Sequence, residues 1–251
     1  MPYFEDRPYS VANNAFSYAN IIKLVIPEGV TSLQGLGITQ MKNLVSLTLP
    51  STLVEPITSS FYDLTRLFEI YNLSSLKIDK DSSNSNNLGY YAKDIHTSYD
   101  VESKVNEYGD YVFYADEKLP LLVGYPVNDT SLKLPKDFNG QVYGLADGIF
   151  SNITARSVIL SDNIVHMGRQ PFGSLEGSIF RNVLSEGGVY YLPSYNSQYF
   201  MIVGCTSVGP SGGSFTTNPE TRFIGYKGLY DCYCDELILS DGLIGIDEYA
   251  F

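Results

Sequence analysis

Apolar positions along this chain recur at a fixed set of offsets. From Phe16 they fall at +8, +10, +14 and +17, on Leu24, Ile26, Val30 and Leu33. From Phe150 the same offsets reach Val158, Leu160, Ile164 and Met167, and from Leu229 they reach Leu237, Leu239, Leu243 and Ile246. Ile38 starts a similar series at Leu44, Leu47, Leu49 and Leu53, and Phe61 one through Leu67 and Ile70. A doublet such as Leu24 and Ile26 reads as a short half-buried strand. Pro27, Pro50, Ser161 or Ser240 then ends the strand, and "EGV", "STL", "DNI" or "DGL" makes the turn. Each of those four residues lies 11 before the next mark (Ile38, Phe61, Phe172, Phe251), so the period is 22 or 23 residues. A coil of that length cannot bury its own apolar face, whereas coil stacked on coil closes a continuous core. The pattern therefore predicts a mainly β solenoid with one short parallel strand per coil.

The stretches "NAFSYANIIKLVIPEGVTSL" and "DELILSDGLIGIDEYAF" carry a more specific signature. They resemble the BspA-type leucine-rich repeat, roughly A-F-x-x-C-x-x-L-x-x-I-x-I-P-x-x-V-x-x-I-G-x-x-A-F. Ala15–Phe16 and Ala250–Phe251 match the A-F pair, and Cys232 stands at the C position. The pattern drifts elsewhere: Ser161 and Ser240 replace Pro, and the pair becomes Gly37–Ile38, Ser60–Phe61, Ile149–Phe150, Pro171–Phe172 and Gly228–Leu229. The resemblance implies a leucine-rich-repeat solenoid, a curved right-handed superhelix of 22–23-residue coils. It also implies a surface protein of host-associated bacteria or parasitic protists, used in adhesion.

Two longer segments interrupt the coils. "DYVFYADEKLPLLVGY" (110–125) and "GVYYLPSYNSQYFMIVGC" (188–205) each place an aromatic-rich strand before an apolar strand ending in Val-Gly. Both predict a β-hairpin inserted on one edge of the solenoid. "EIYNL" (69–73) and "IFRNV" (179–183) read as the strands that precede them. The expected organisation is one continuous solenoid: coils over 1–79, a loop and hairpin over 80–131, coils over 132–187, a second hairpin with a Gly-rich loop over 188–220, and a truncated coil over 221–251. "MPYFEDRPYSVANNAF" shows no charged segment leading into an apolar core, so no signal peptide is read there. The chain enters mid-coil and stops on a fresh A-F pair. That predicts either a longer natural protein or a partner, including a second copy stacked end to end, over the last coil.

Composition narrows the function classes. The chain has 251 residues, 44% of them hydrophobic, with 21 Tyr and 13 Phe, which is the composition of an ordered protein. A formal net charge of -12 repels phosphate backbones, so nucleic acid is not an expected partner. No apolar run reaches the roughly 20 residues that span a bilayer. Three cysteines (Cys205, Cys232, Cys234) imply no disulfide framework, and with His96 and His166 they give no Zn-ligand spacing, so no metal or cofactor is expected. "DKDSSN" (79–84) lacks the Gly and Glu of a Ca²⁺ loop, and "GPSGGS" (209–214) lacks the Lys of a phosphate loop. The sequons at Asn72, Asn128 and Asn152 matter only in a glycosylating host.

Repetition itself supplies the candidate binding sites. The strand position between the two inward residues gives a concave-face ladder of Val25, Thr48, Tyr71, Lys133, Ile159, Arg181 and Ile238. Beside it run Lys23, Ser46, Glu69, Ser131, Ser157, Ile179 and Glu236. This face is expected either to bind a partner or simply to be a solvated sheet. Tyr190, Tyr191, Tyr195, Tyr199 and Phe200 form an aromatic hairpin patch, read as a recognition surface or as packing against the solenoid edge. The leading expectation is a non-enzymatic, secreted or cell-surface module adhering to host or microbial protein. A structural spacer is the alternative, and a glycan-binding or glycan-cleaving protein the less favoured one. A cleaving enzyme needs two carboxylates about 5–10 Å apart. Glu69 and Glu236 stand several coils apart in the predicted stack, so no catalytic pair is assembled from them.

Overall fold

The computed structural model describes residues 9–12, 14–33, 38–54, 61, 63–85, 87–126, 129–151, 153–173, 180–206 and 212–251. Nearly all its regular structure is short strand, stacked mostly in parallel as a β-solenoid. The chain divides into two units, Met1–Asn106 and Glu107–Phe251.

The first unit runs β1 (Tyr9–Val11), β2 (Lys23–Val25), β3 (Val30–Leu33), β4 (Ser46–Leu49), β5 (Glu69–Asn72), the single helical turn α1 (Leu88–Tyr91) and β6 (Asp94–His96). Strands β2, β4, β5 and β6 form one parallel sheet. Leu24, Leu47, Ile70 and Ile95 lie in register across it, as the sequence period requires. Behind them Ile26, Val30, Leu44, Leu49, Leu53, Phe61 and Leu67 are buried, so the core is the stack of inward positions. Rung β6 was not foreseen. The chain from 80 reads as a loop, and His96 as part of an insert, because Ile95 is the only inward residue of that rung and its spacing from Ile70 is stretched by α1.

The coil also has a second strand. The apolar return leg of the first coil, β3, pairs in parallel with β1. This coil therefore adds a return-leg strand to the predicted one. The return leg is short and carries a bulge, which hides its periodicity.

The second half repeats one seven-strand plan. Its first copy holds β7 (Val105–Tyr108), β8 (Tyr111–Tyr114), β9 (Leu121–Gly124), β10 (Ser131–Lys133), β11 (Tyr143–Leu145), β12 (Ser157–Ile159) and β13 (Ile164–Met167). Its second holds β14 (Leu184–Glu186), β15 (Val189–Leu192), β16 (Met201–Cys205), β17 (Ser214–Thr216), β18 (Phe223–Ile224), β19 (Glu236–Ile238) and β20 (Gly245–Ile246). The strand orders are β7-β8-β9-β11-β13 and β14-β15-β16-β18-β20, beside the two-stranded sheets β10-β12 and β17-β19. Gly144 pairs with Leu121 and His166, and Phe223 with Met201 and Gly245. Most of the second copy thus lies 79 or 80 residues after the first.

This duplication corrects three expectations. Each hairpin forms as predicted, antiparallel between β8 and β9 and between β15 and β16. Yet its apolar strand is a full return-leg rung, not an insertion at the edge. The Gly-rich segment leads into β17, a parallel partner of β19, while residues 209–211 lie outside the described set. Over the described residues 180–183 there is no strand: Arg181 and Asn182 are in a turn and β14 begins at Leu184. Ile179, Asn128 and Asn152 are outside the described residues.

Two local devices hold the coils together. Carboxylates in the turn after a strand reach the next coil: Glu28 accepts from Ser51 N at 3.0 Å, Ser51 Oγ at 2.9 Å and Thr52 N at 3.3 Å. Asp162 likewise accepts from Ser194 Oγ at 2.6 Å and Asn196 Nδ2 at 3.0 Å. Two residues before Phe16, Phe150, Phe172, Leu229 and Phe251 the backbone is left-handed, at Asn14, Gly148, Gln170, Lys227 and Tyr249. That turn aims the aromatic or leucine mark into the stack. In the second unit Phe113, Tyr114, Tyr143 and Phe150 are almost fully buried, and each such side chain contributes about 1.5–3 kcal/mol.

Candidate functional site

The front of the first unit's sheet carries an unusual set of polar residues. Along β4 and β5 Ser46, Thr48, Glu69 and Tyr71 point to the side opposite the leucine core, and both strands are buried on both faces. Segment 97–106 accounts for this. It lies across the front, and its bonds converge on Glu69, which has no exposed surface. The Glu69 carboxylate accepts from Ser103 Oγ at 2.7 Å, Lys104 N at 3.0 Å and Ser46 Oγ at 3.3 Å. His96 Nε2 sits 3.3 Å from its Oε1. Tyr71 donates its hydroxyl to Val101 O at 3.0 Å, and its ring lies 4.8 Å from His96 and 6.1 Å from Tyr99. At the rim Lys104 Nζ pairs with Asp94 at 3.0 Å. Burial, and then the Glu69 carboxylate, raise the Tyr71 hydroxyl above the ordinary phenol range.

An anion this deep is tolerable only because its oxygens are engaged on several sides. Its chemistry is that of a clamp. A general base would need an unengaged lone pair and a path to solvent, whereas four neighbours surround the Glu69 oxygens and none of its surface is exposed. The covering segment has no apolar period, so nothing in its sequence announced a lid.

The predicted concave ladder is therefore divided. Thr48 and Tyr71 are buried beneath 97–106, contrary to the expected outward exposure, while Val25 is 63% exposed. In the second unit Lys133, Arg181 and Ile238 are exposed and Ile159 is partly so. Lys133 and Ile159 are register partners across β10 and β12. Tyr111 donates to Lys133 O at 2.6 Å and Tyr195 to Leu134 O at 2.8 Å, so hairpin-derived rings lean over β10. Of the aromatic hairpin patch, Tyr191 and Phe200 are buried, Tyr190 and Tyr199 are half-buried, and only Tyr195 is exposed. Tyr191 meets Tyr199 edge to face at 5.2 Å, and burial raises the Tyr191 hydroxyl to about 12. Most of these rings pack; they do not form an open patch.

Cys205 and Cys232 form a disulfide, with Cα atoms 6.2 Å apart, where none was expected. The end of β16 and the turn after Leu229 meet there, a contact 27 residues apart in sequence that spacing alone does not reveal. No group of His, Cys, Asp and Glu suited to a metal ion occurs among the described residues. Nor is any helix there long and apolar enough to cross a membrane.

A stacked-coil solenoid with Leu, Ile and Phe at each inward mark is the architecture of leucine-rich-repeat proteins. The model of the BspA type leucine rich repeat region matches six copies over residues 9–122, so that part of the chain is similar to BspA-type leucine-rich repeats. Comparison with curated proteins and with solved structures gives no significant match. That family points to a surface protein-interaction module.

Proposed function

We propose that this protein is a non-enzymatic adhesion module, secreted or held at a cell surface, that grips host or microbial proteins through its strand faces. The observation that carries the reading is the ladder of parallel rungs bearing BspA-type repeats, because repetition builds an extended surface and not a catalytic cleft. The Cys205–Cys232 bond supports an oxidising location outside the cytoplasm. The binding face is the exposed part of the ladder in the second unit, Lys133, Ile159, Arg181 and Ile238. With Thr48 and Tyr71 under their lid, the first unit's front serves as support.

Surface plasmon resonance on immobilised fibronectin, laminin and collagen tests this. The wild-type chain is expected to bind at least one of them. Lys133→Glu combined with Arg181→Glu is expected to weaken that binding about tenfold or more, with the melting temperature unchanged. Binding unaffected by the double substitution would remove this face.

A further inference from the structure

The two copies of the seven-strand plan differ sharply at one set of surface positions. The first copy places Asp147, Gly148, Ser151, Thr154 and Gln170 on the turns around its last two coils. At the equivalent positions, 79 residues on, the second copy has Tyr226, Lys227, Tyr230, Tyr233 and Tyr249. Small polar residues satisfy the same coil geometry in the first copy, so packing does not require the rings. Tyr230, Tyr233 and Tyr249 are 52%, 70% and 66% exposed. Tyr249 stands at φ 52° and Lys227 at φ 53°, where the first copy has Gln170 at 46° and Gly148 at 58°. The left-handed turn is common to both copies, so the coil geometry sets it and the rings are an addition made only in the second copy.

Three of these rings gather around Lys227 as one cluster, with Tyr233 three residues along the turn from Tyr230. Tyr226 and Tyr249 meet edge to face at 5.9 Å. Lys227 Nζ lies 5.6 Å from the Tyr226 ring centroid and 5.1 Å from that of Tyr230, which steadies both rings. Charged residues interleave with the rings: Lys227, then Asp231 and Glu248 beside Tyr230 and Tyr249 in the chain.

We propose that this turn face binds a neutral carbohydrate. One face of a pyranose is a patch of C–H bonds that lies on the negative π face of a ring. Its rim of hydroxyls suits the Lys, Asp and Glu interspersed here. The buried centre of a protein interface is by contrast depleted of charge. A single-stranded nucleic acid would also stack on rings, but the net charge of -12 repels it.

Isothermal titration of the whole chain with laminarihexaose, cellohexaose, mannohexaose and N-acetylchitohexaose tests the proposal. At least one is expected to bind with a dissociation constant on the order of 0.1 mM. Tyr230→Ala and Tyr233→Ala are each expected to weaken it about tenfold, and Tyr90→Ala, an exposed ring of the first unit, to leave it unchanged. Circular dichroism melts of the variants confirm that the fold is intact. Failure of all four sugars, or binding indifferent to the Tyr230 and Tyr233 substitutions, overturns it. So does loss of matrix-protein binding in those variants when no sugar binds, since the patch is then a protein interface. The adhesion reading is judged separately, at Lys133 and Arg181.

Discussion

The side chain of Asn182 brackets the backbone of Val158. Its Nδ2 donates to Val158 O at 2.7 Å, and its Oδ1 accepts from Val158 N at 3.0 Å. Beside β12 a single amide side chain thus stands in for a strand, satisfying both ladder groups of a buried residue. Arg181 N, bonded to Arg156 O at 2.7 Å, begins the same substitute rung. Asn182→Ala leaves both Val158 groups without their partner and is expected to cost about 1–3 kcal/mol, read as a lowered denaturant midpoint. Asn182→Asp is expected to cost at least as much as Ala, because a carboxylate then faces the Val158 carbonyl.

Glu69 organises the lid over the first unit. Glu69→Ala removes the acceptor for Ser46, Ser103 and Lys104 N together and is expected to destabilise by about 3 kcal/mol. Amides of 97–106 should then exchange with solvent well before those of β4 and β5. Retained protection of that segment in the variant would show that Glu69 is not what holds it.

Alkaline pH should unfold the second unit first. Tyr143 donates to Pro135 O at 2.7 Å, and burial holds its hydroxyl far above the ordinary phenol range. Tyr111 is raised for the same reason, and Tyr191 to about 12. A folded value raised above the unfolded one stabilises the protein fully below about pH 10. For Tyr191 that contribution disappears as pH rises from about 10 to 12. The melting temperature is expected to be flat up to about pH 9.5 and to fall beyond it, and Tyr143→Phe should soften the fall.

Tyr249→Gly separates the two demands made on that residue. Glycine takes φ 52° without a Cβ penalty, so the fold should gain up to about 1 kcal/mol. The same substitution should weaken oligosaccharide binding, which is the opposite direction for stability and for function. A loss of stability instead would mean that the Tyr226–Tyr249 contact outweighs the backbone strain.

Much of the fold was legible because inward positions obey one rule. Leu24, Leu47 and Ile70 recur at the coil period and pair in register. The hairpins were equally visible, since Tyr111–Tyr114 and Leu121–Gly124 are dense in strand-forming residues. What escaped depends on contacts distant in sequence or on backbone geometry. The lid over Glu69 is polar and aperiodic. The Cys205–Cys232 pair closes only after β16 and the coil turn have stacked. Left-handed positions are filled by Asn, Gly, Gln, Lys and Tyr alike, so composition does not mark them. The cover over Thr48 and Tyr71 escaped for a related reason: alternation tells which way they point, not what later lies over them.

The seven-strand duplication has an evolutionary consequence. One copy of the plan can hold the architecture with small turn residues while the other carries rings at the same positions. Tyr226, Lys227 and Tyr249 could then accumulate at positions where a sole copy would have been selected for ease of folding, so new recognition surfaces on such proteins should be sought where paired segments disagree.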